Sequence, residues 1–290
     1  MEKLEKKIVT NGMKKAYELN EKVSPELSAI HTKLWADGLE LSPELIYLLG
    51  DGYSRKIADD RLILFNDTFL NDLSGSLGIY LEDYEENSEE SFYQAIKKNS
   101  AINIAPPMIS VEYPEGEYLS IVCGVFDDHT YNVISPVDKD VVRVDKTRVA
   151  CRKPWYMMNS PRFIKPVFRD RSQLIKEALL RILKRRDLEN TSVYRKIYET
   201  DSDKVLEKAV LEMSRKDVED RKLFYGAMMI AEEFLEDESL KESLEEYRNL
   251  LSSMEEGFDT TQIKQLFELE DKLMDGMREV LKEESAEYDS

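Results

Sequence analysis

The chain has 290 residues, of which 34% are charged, and its formal net charge is −18. A chain of this length can bury one large core or two modest ones, and the high charged fraction is typical of a helix-rich protein. No apolar run approaches the length of a membrane span, the mixed-charge start Met1–Lys7 is unlike a signal peptide, and two cysteines cannot build a disulfide framework, so we expect a cytoplasmic protein with no membrane partner.

Short helices and strands alternate in the first half of the chain. Apolar spacing predicts helix over residues 1–22, interrupted at Asn11–Gly12. Ser24–Pro25 and Ser42–Pro43 each predict a helix start, because serine caps the first turn and proline fits it. The second of these helices is expected to end at the turn Gly50–Asp51–Gly52. Strands at 61–65, 77–81 and 108–111 and a helix at 88–98 are expected to follow.

The stretch Tyr118–Pro136 predicts a β-hairpin. A β-branched and apolar run closes on Gly124, the acidic pair Asp127–Asp128 makes a turn, and Tyr131–Ile134 returns as a second strand. A further strand is predicted at 141–144, and a proline-containing run occupies 154–166.

From Asp170 onward the chain has no proline, and apolar residues recur every three or four positions. Such stripes run along 174–183, 205–213, 223–235 and 263–281, which predicts amphipathic helices that pack together. The sequence therefore predicts an α+β fold: a mixed domain over 1–168 with an antiparallel sheet and an N-terminal helix, then an all-α helical domain over 169–290. Self-association through the helical domain is one partner hypothesis.

Several short motifs, spread over roughly residues 20–185, resemble the N-terminal family of butirosin biosynthesis protein H. They are Gly38–Glu44, the glycine turn at Gly50–Gly52, Pro107–Val111, the strand Tyr118–Phe126 with Gly124 in place, Ser135–Pro136 and Val144–Arg148. Each motif is short, so the resemblance depends on their order. It implies a papain-like fold of the cysteine peptidase and acyltransferase type, and a role in a biosynthetic pathway.

The resemblance also implies where catalytic residues would lie. In that family a cysteine at a helix N-terminus is the nucleophile, a histidine is the base, and an aspartate or asparagine orients it. The corresponding positions in this chain hold Ser24 (or the neighbouring Pro25), Tyr118 and Ser135. A tyrosine with an ordinary pKa near 10 cannot replace an imidazole as a base at neutral pH. These three positions are therefore predicted to be degenerate.

Two functional hypotheses follow from the resemblance. The first is a non-catalytic binding or scaffold protein that holds a peptide, an acyl carrier or a partner enzyme in the former substrate groove. The second is an acyl or aminoacyl transferase acting on a carrier-protein thioester, with Ser24 or Cys151 as an unrecognised nucleophile. The basic residues around Cys151 would favour its thiolate, although a structural role is the alternative. We expect no cofactor in either case.

One basic stretch lies in an otherwise acidic chain. Residues 143–186 contain 14 basic and 3 acidic residues, whereas residues 231–290 contain 6 basic and 20 acidic residues. The basic stretch either pairs with the protein's own acidic helices or recognises an acidic carrier protein through Arg148, Arg152 and Lys153. Nucleic acid is not expected, because the acidic surroundings would repel a polyanion and aromatic residues do not interleave with the basic ones.

The remaining candidates predict no metal site. His31 lies two turns into the helix that starts at Pro25 and is expected to face polar neighbours or solvent. His129 is expected in a solvated turn, and Cys123 as a small core residue of its strand. The carboxylate runs lack the Glu-x-x-His spacing of a metal-binding bundle.

Overall fold

The structure, a computed structural model, describes residues 25–36, 39–53, 56–58, 61–63, 69–86, 88–102, 107–114, 116–149, 155–163, 170–189 and 215–288. Within these ranges there are eight helices and eight strands. The helices are α1 Pro25–Ala36, α2 Pro43–Leu49, α3 Phe69–Leu77, α4 Glu89–Ile102, α5 Arg171–Glu189, α6 Arg215–Leu235, α7 Glu238–Ser253 and α8 Thr260–Tyr288. The strands are β1 Lys56–Ala58, β2 Arg61–Ile63, β3 Ile79–Glu86, β4 Met108–Tyr113, β5 Gly116–Val125, β6 Tyr131–Ile134, β7 Val141–Val144 and β8 Trp155–Phe163.

The chain divides into two compact units, each built from two separate segments. Residues 1–43 and 78–166 form the sheet unit, and residues 44–77 and 167–290 form the helical unit. The second segment of the helical unit begins beside the junction predicted at 168/169. Its first segment, 44–77, joins it from the front of the chain.

A six-stranded sheet organises the sheet unit. Its strand order is β3-β8-β4-β5-β6-β7, and every neighbouring pair is antiparallel. After β7 the chain returns to β4 through an isolated antiparallel bridge between Val111 and Val149. The mixed α+β class and the antiparallel sheet predicted from the sequence are confirmed.

The predicted hairpin is β5–β6. Phe126 N donates to Thr130 O at 3.0 Å and His129 N donates to Phe126 O at 3.1 Å, so a turn over Phe126–His129 closes the loop. His129 has a φ of 59°, the left-handed conformation that completes a three-residue hairpin loop of this kind. The acidic pair Asp127–Asp128 therefore makes the tight turn that the sequence predicts.

The central strands of the sheet are buried on both faces. Ile121 and Val122 are adjacent, point to opposite faces and are both buried. One face packs Val111, Tyr118 and Val122 against Phe92 and other residues of α4 in a single cluster. Helix α1 also contacts β5, and residues 27–34 of α1 are all buried. Helix α1, which begins at Pro25, thus packs against this hairpin within the sheet unit.

The helical unit confirms the amphipathic stripes in α5, α6 and α8. Leu179, Phe224 and Phe267, one from each helix, are buried. Asp237 caps α7 by accepting from Leu240 N at 3.0 Å. Asp259 caps α8 through a reciprocal pair of hydrogen bonds with Gln262, of 2.9 and 3.1 Å, which satisfies two backbone donors of the first turn. The stripe predicted at 205–213 lies outside the described residues.

The turn after α2 has an aspartate, Asp51, at the left-handed position that glycine usually occupies. Gly52 N bonds to Tyr47 O and Asp51 N bonds to Leu48 O, the two hydrogen bonds of a Schellman end, with Asp51 in the left-handed position at φ 55°. A Cβ at Gly50 would lie 2.4 Å from the ring of Phe69. Glycine is needed there because the Phe69 ring of α3 packs directly on the backbone. The predicted helix-ending turn is confirmed.

Two predicted elements differ from the structure. Residues 69–77, for which no helix was predicted, form α3, and the strand expected at 77–81 begins only at Ile79. The N-terminal helix expected over residues 1–22 lies outside the described residues, as do Ser24 and residues 150–154.

Candidate functional site

Two tyrosines meet at one end of the β4–β5 hairpin. Tyr113 ends β4 opposite Gly116, and Tyr118 pairs with Val111 two residues along, so both phenol rings lie on the same face of the sheet. Their ring centroids are 6.1 Å apart and the rings are tilted by 39°. Each tyrosine is only 8% exposed and belongs to the core that α4 covers.

Serine hydroxyls surround the Tyr113 phenol. Tyr113 Oη and Ser120 Oγ are 2.8 Å apart. Burial raises the pKa of Tyr113, and hydrogen bonds to Ser120 and Ser135 act in the opposite direction. The phenol is therefore neutral at physiological pH, and it joins the end of β4 to β5 and to the residue that follows β6.

The hydroxyl of Ser135 is used by its own turn. Ser135 Oγ donates to Asp138 Oδ2 at 2.7 Å and accepts from the backbone N–H groups of Val137 and Asp138 at 3.2 and 3.0 Å. Lys139, in the left-handed conformation, donates its N–H to Ser135 O. Ser135 is fully buried, so its side chain holds the turn after β6 together.

Arg148 lies against the same tyrosine. The bridge at Val149 returns the chain to β4, and Arg148 then donates from Nε and Nη2 to Glu112 O at 3.2 and 3.1 Å. Its guanidinium carbon lies 5.3 Å from the centroid of the Tyr113 ring. Arg148 is thus half-buried against its own sheet.

We name Tyr113, Tyr118, Ser120 and Ser135 the tyrosine–serine cluster. It contains Tyr118 and Ser135, the residues that the resemblance would place at the catalytic base and its orienting partner, and the structure brings both to Tyr113. Both are buried. The cluster offers neutral hydroxyl groups only, and these can hold strand ends in register but cannot take up a proton at neutral pH.

Sequence reasoning missed Tyr113, the residue that connects the cluster. Its only signal was its place in the alternating pattern of β4, which marks a buried strand position and nothing more. The remaining predicted site residues, Ser24, Arg152 and Lys153, lie outside the described residues, as does Cys151.

The histidines and the described cysteine also have clear positions. His31 is 5% exposed, so it does not face solvent. His129 is half-buried rather than solvated: its ring stacks on Tyr93 at 4.0 Å and its nitrogens lie 3.3 and 3.5 Å from carboxylates of Glu89 and Glu90. Cys123 is half-buried, and its Sγ lies 3.4 Å from Asn132 O.

Several residues of the basic stretch form ion pairs within their own units. In the sheet unit, Arg143 lies 2.9 Å from Asp128, and Lys146 lies 3.0 Å from Glu89, whose pKa it lowers. In the helical unit, Arg185 forms ion pairs with Asp51 and Asp72. These contacts agree with the interpretation in which the stretch neutralises the protein's own acidic groups.

Over the ranges that the structure describes, no group of three His, Cys, Asp or Glu side chains is placed to hold a metal ion. None of the described helices is long and apolar enough to cross a membrane. Comparison with protein-family models, with curated proteins and with solved structures gives no match to this chain. The resemblance to the butirosin protein H family therefore depends on the short motifs alone.

Proposed function

We propose that this protein is a non-catalytic binding protein built on a papain-like mixed domain. It holds a protein or peptide partner, such as an acyl carrier, without transferring an acyl group. The observation that carries the proposal is the state of Ser135 and Tyr118. Both residues aligned with acid–base chemistry are buried, and the Ser135 hydroxyl makes three hydrogen bonds within its own turn.

The arrangement of the sheet unit supports a papain-like scaffold. A buried helix, α1, precedes the sheet in the chain and contacts β5. Tyr118 lies near the start of this strand. Ser135 immediately follows β6, the antiparallel neighbour of β5. Residues that would form a catalytic pair thus come from neighbouring strand ends, as the resemblance implies.

The chemistry at those strand ends supports binding over catalysis. Acyl transfer needs a base that is neutral and near its pKa at physiological pH, which typically supplies roughly a 10²–10⁴-fold rate gain. A phenol keeps its proton at pH 7, and a serine hydroxyl is not a base. A scaffold whose catalytic positions carry such residues can still recognise the partner of a related enzyme.

Acyl transfer is tested with the purified full chain and an acyl thioester of N-acetylcysteamine. Intact-mass spectrometry and thiol release are recorded for the wild type and for the Ser24→Ala and Cys151→Ala variants. We expect no turnover and no single acyl adduct in any of the three. Turnover that disappears with either alanine substitution would establish the transferase and overturn the proposal.

Binding is tested by titrating an acylated carrier protein into the chain in a calorimeter. The variant Arg152→Glu/Lys153→Glu is compared with Lys98→Glu, which reverses an exposed charge on α4. Arg148 is left intact because its contacts with Glu112 and Tyr113 are internal. We expect binding that the double variant weakens several-fold, most at low salt, and that the control leaves unchanged. No binding by the wild type would reject the carrier as partner.

A further inference from the structure

His129 holds the tip of the β5–β6 hairpin, residues 126–130, against the start of α4. Its backbone takes the left-handed conformation that the turn requires, with a φ of 59°. Its ring stacks on Tyr93 of α4, with the ring centroids 4.0 Å apart and an angle of 9° between the planes. The side chain is 25% exposed, so the ring is packed on the helix and can still exchange protons with water.

Both ring nitrogens of His129 face carboxylates. Nδ1 lies 3.3 Å from Glu89 Oε1, and Nε2 lies 3.5 Å from Glu90 Oε2. A neutral imidazole has one N–H group and one lone pair, so it can donate to only one of the two carboxylates, whereas an imidazolium can donate to both. Gln94 donates to the other oxygen of Glu90 at 2.8 Å and holds this carboxylate beside the ring. The geometry therefore fits the protonated ring better than the neutral one.

The charges around the hairpin tip also favour a proton on His129. Seven charged side chains lie there, contributed by α4, by the hairpin turn and by β7 with the turn after it: Glu89, Glu90, Lys97, Asp127, Asp128, Arg143 and Lys146. Three ion pairs of 2.8–3.0 Å use all three basic groups and three of the four carboxylates. Among the described residues, the ion pair of the fourth carboxylate, Glu90, is the one with His129. The phenols of Tyr93 and Tyr131, close to the same glutamates, add no charge at neutral pH.

We propose that the protonation state of His129 controls how tightly the hairpin tip is held on α4. With a proton on both nitrogens, the ring joins Glu89 and Glu90 to the turn. When one proton leaves to solvent, a lone pair faces a carboxylate oxygen, and this contact becomes repulsive. The tip then opens more often. Lys146 keeps its contact with Glu89, so the change is a local opening and not unfolding of the sheet.

The direction of the pH dependence follows from the number of protons bound. The closed tip binds the imidazolium proton through two carboxylates that the open tip no longer offers, so the closed tip is favoured at low pH. It loses stability as the pH rises between about 5 and about 8, the range in which histidines change charge. The pKa of Glu89 is lowered by Lys146 and that of Asp127 by Lys97, so both carboxylates remain charged throughout this range.

The test follows hydrogen exchange at the hairpin tip of the full chain between about pH 5.5 and about pH 8. Opening is reported by the N–H groups of Phe126 and His129, which bond to Thr130 O and Phe126 O in the closed turn. Mass spectrometry of peptides that contain residues 126–130 gives the exchange rates. The same peptides from a fully unfolded sample give the intrinsic effect of pH, which is divided out.

Two variants and a control are compared with the wild type. His129→Asn removes the ring and keeps a residue type that tolerates the left-handed conformation. Glu90→Gln keeps the shape of the side chain and removes its charge. The control, Glu112→Gln, removes an exposed carboxylate of β4 beside the other end of β5. Far-UV circular dichroism checks that each variant remains folded.

A second measurement reads the ring directly. The chain has two histidines, so labelling with ¹⁵N-histidine gives two sets of imidazole signals, and His129→Asn assigns them. At about pH 5.5 we expect both nitrogens of His129 to carry a proton, within the range in which histidines change charge.

We expect the protection of the tip to fall several-fold as the pH rises, equally in the wild type and in the control. The fall should be absent in His129→Asn and smaller in Glu90→Gln. Protection in the wild type that does not change with pH overturns the proposal, as does a fall that persists in His129→Asn. A Glu90→Gln variant that behaves as the wild type, or a neutral His129 ring at the acid end of the range, also overturns it.

Discussion

One cluster in each unit shows a different way of burying polar groups. In the sheet unit the tyrosine–serine cluster buries neutral hydroxyls, which bond to one another and to the turn after β6. Lys33 of α1, also in the sheet unit, is 1% exposed. The helical unit buries an ion pair: Arg221 is 1% exposed and pairs with Glu270, which also accepts from Tyr247 Oη at 2.8 Å. A second charged group joins Asp51 and Asp72 to Arg185.

This difference indicates which substitutions should reduce stability most. A buried neutral hydroxyl that loses its partner costs roughly 1–3 kcal/mol of stability. A buried charge that loses its partner costs more, since desolvation of the remaining ion is no longer compensated. Breaking the pair between Arg221 and Glu270 should therefore destabilise the protein more strongly than breaking the hydrogen bond between Tyr113 and Ser120.

The largest effect is expected from breaking the pair between Arg221 and Glu270. Glu270→Ala leaves a guanidinium buried beside the Phe267 ring, 5.2 Å away, with its carboxylate removed. We expect a loss of about 3–5 kcal/mol in the free energy of unfolding, measured by urea denaturation at pH 7. The double variant Arg221→Met/Glu270→Leu removes both charges and should cost much less. A double variant that loses as much stability as Glu270→Ala, or more, would show that the pair is not the source of the effect.

The next effect tests how tightly the 44–77 segment packs. Gly50→Ala would place a Cβ 2.4 Å from the Phe69 ring, and the overpacking should cost about 1–3 kcal/mol. Gly75 in α3 is the matched control, because a Cβ there meets nothing within 4 Å. Gly75→Ala should stabilise by roughly 0.5–1 kcal/mol through helix propensity. Equal thermal melting temperatures for the two variants would contradict the close contact with Phe69.

A smaller effect is expected in the sheet unit. Tyr113→Phe and Ser120→Ala each remove one side of the same hydrogen bond. Each should cost about 0.5–1.5 kcal/mol, because the hydroxyl that remains keeps a second partner: Ser135 for Tyr113 and Tyr118 O for Ser120. Because the two changes act on one interaction, the double variant should cost less than the sum of the single variants. Fully additive losses in urea denaturation would show that the two hydroxyls act independently.

Apolar residues that recur every two positions in strands, or about every 3.6 positions in helices, account for what could be predicted of the fold. They predicted β7 at its observed bounds, the hairpin around Asp127–Asp128, and the buried faces of α5, α6 and α8. Helix α3 was missed because Phe69–Leu77 contains Asn, Asp, Gly and two serines, a composition typical of loops. Its helix is stabilised by packing of Phe69 on Gly50, which a local pattern does not reveal.

The site was harder to predict than the fold because it depends on contacts between distant residues. The chain returns to β4 at Val149, and this return places Arg148 against Tyr113. The positive charge of Arg148 left open whether this residue pairs within the protein or recognises a partner. Residues 44–77 also group with the C-terminal helices through contacts between distant residues. Arg181 and Arg185 bind that segment from more than one hundred positions away. Charge and periodicity identify such residues but not their partners.

The smallest effect concerns the response of the buried phenols to alkali. Burial raises the pKa of Tyr113 above its ordinary value of 10.0, and burial also raises the pKa of Tyr131 in the same core. The folded chain therefore keeps these phenol protons at a pH where the unfolded chain releases them. Stability contributed by the raised pKa is complete below pH 10 and is lost as the pH rises through the folded pKa.

Tyr113→Phe should reduce this loss, because the variant has no phenol to titrate at that position. We expect a shallower fall in the urea midpoint between pH 9 and about pH 11 than in the wild type, with Tyr131 maintaining the remaining slope. Tyr225→Phe in the helical unit is the control: the pKa of Tyr225 is also raised by burial, but its side chain is more exposed, so its removal should change the slope less. A Tyr113→Phe profile as steep as that of the wild type would mean that the Tyr113 phenol is not desolvated in the folded chain. The tyrosine–serine cluster would then be an accessible site rather than a buried connection between strands.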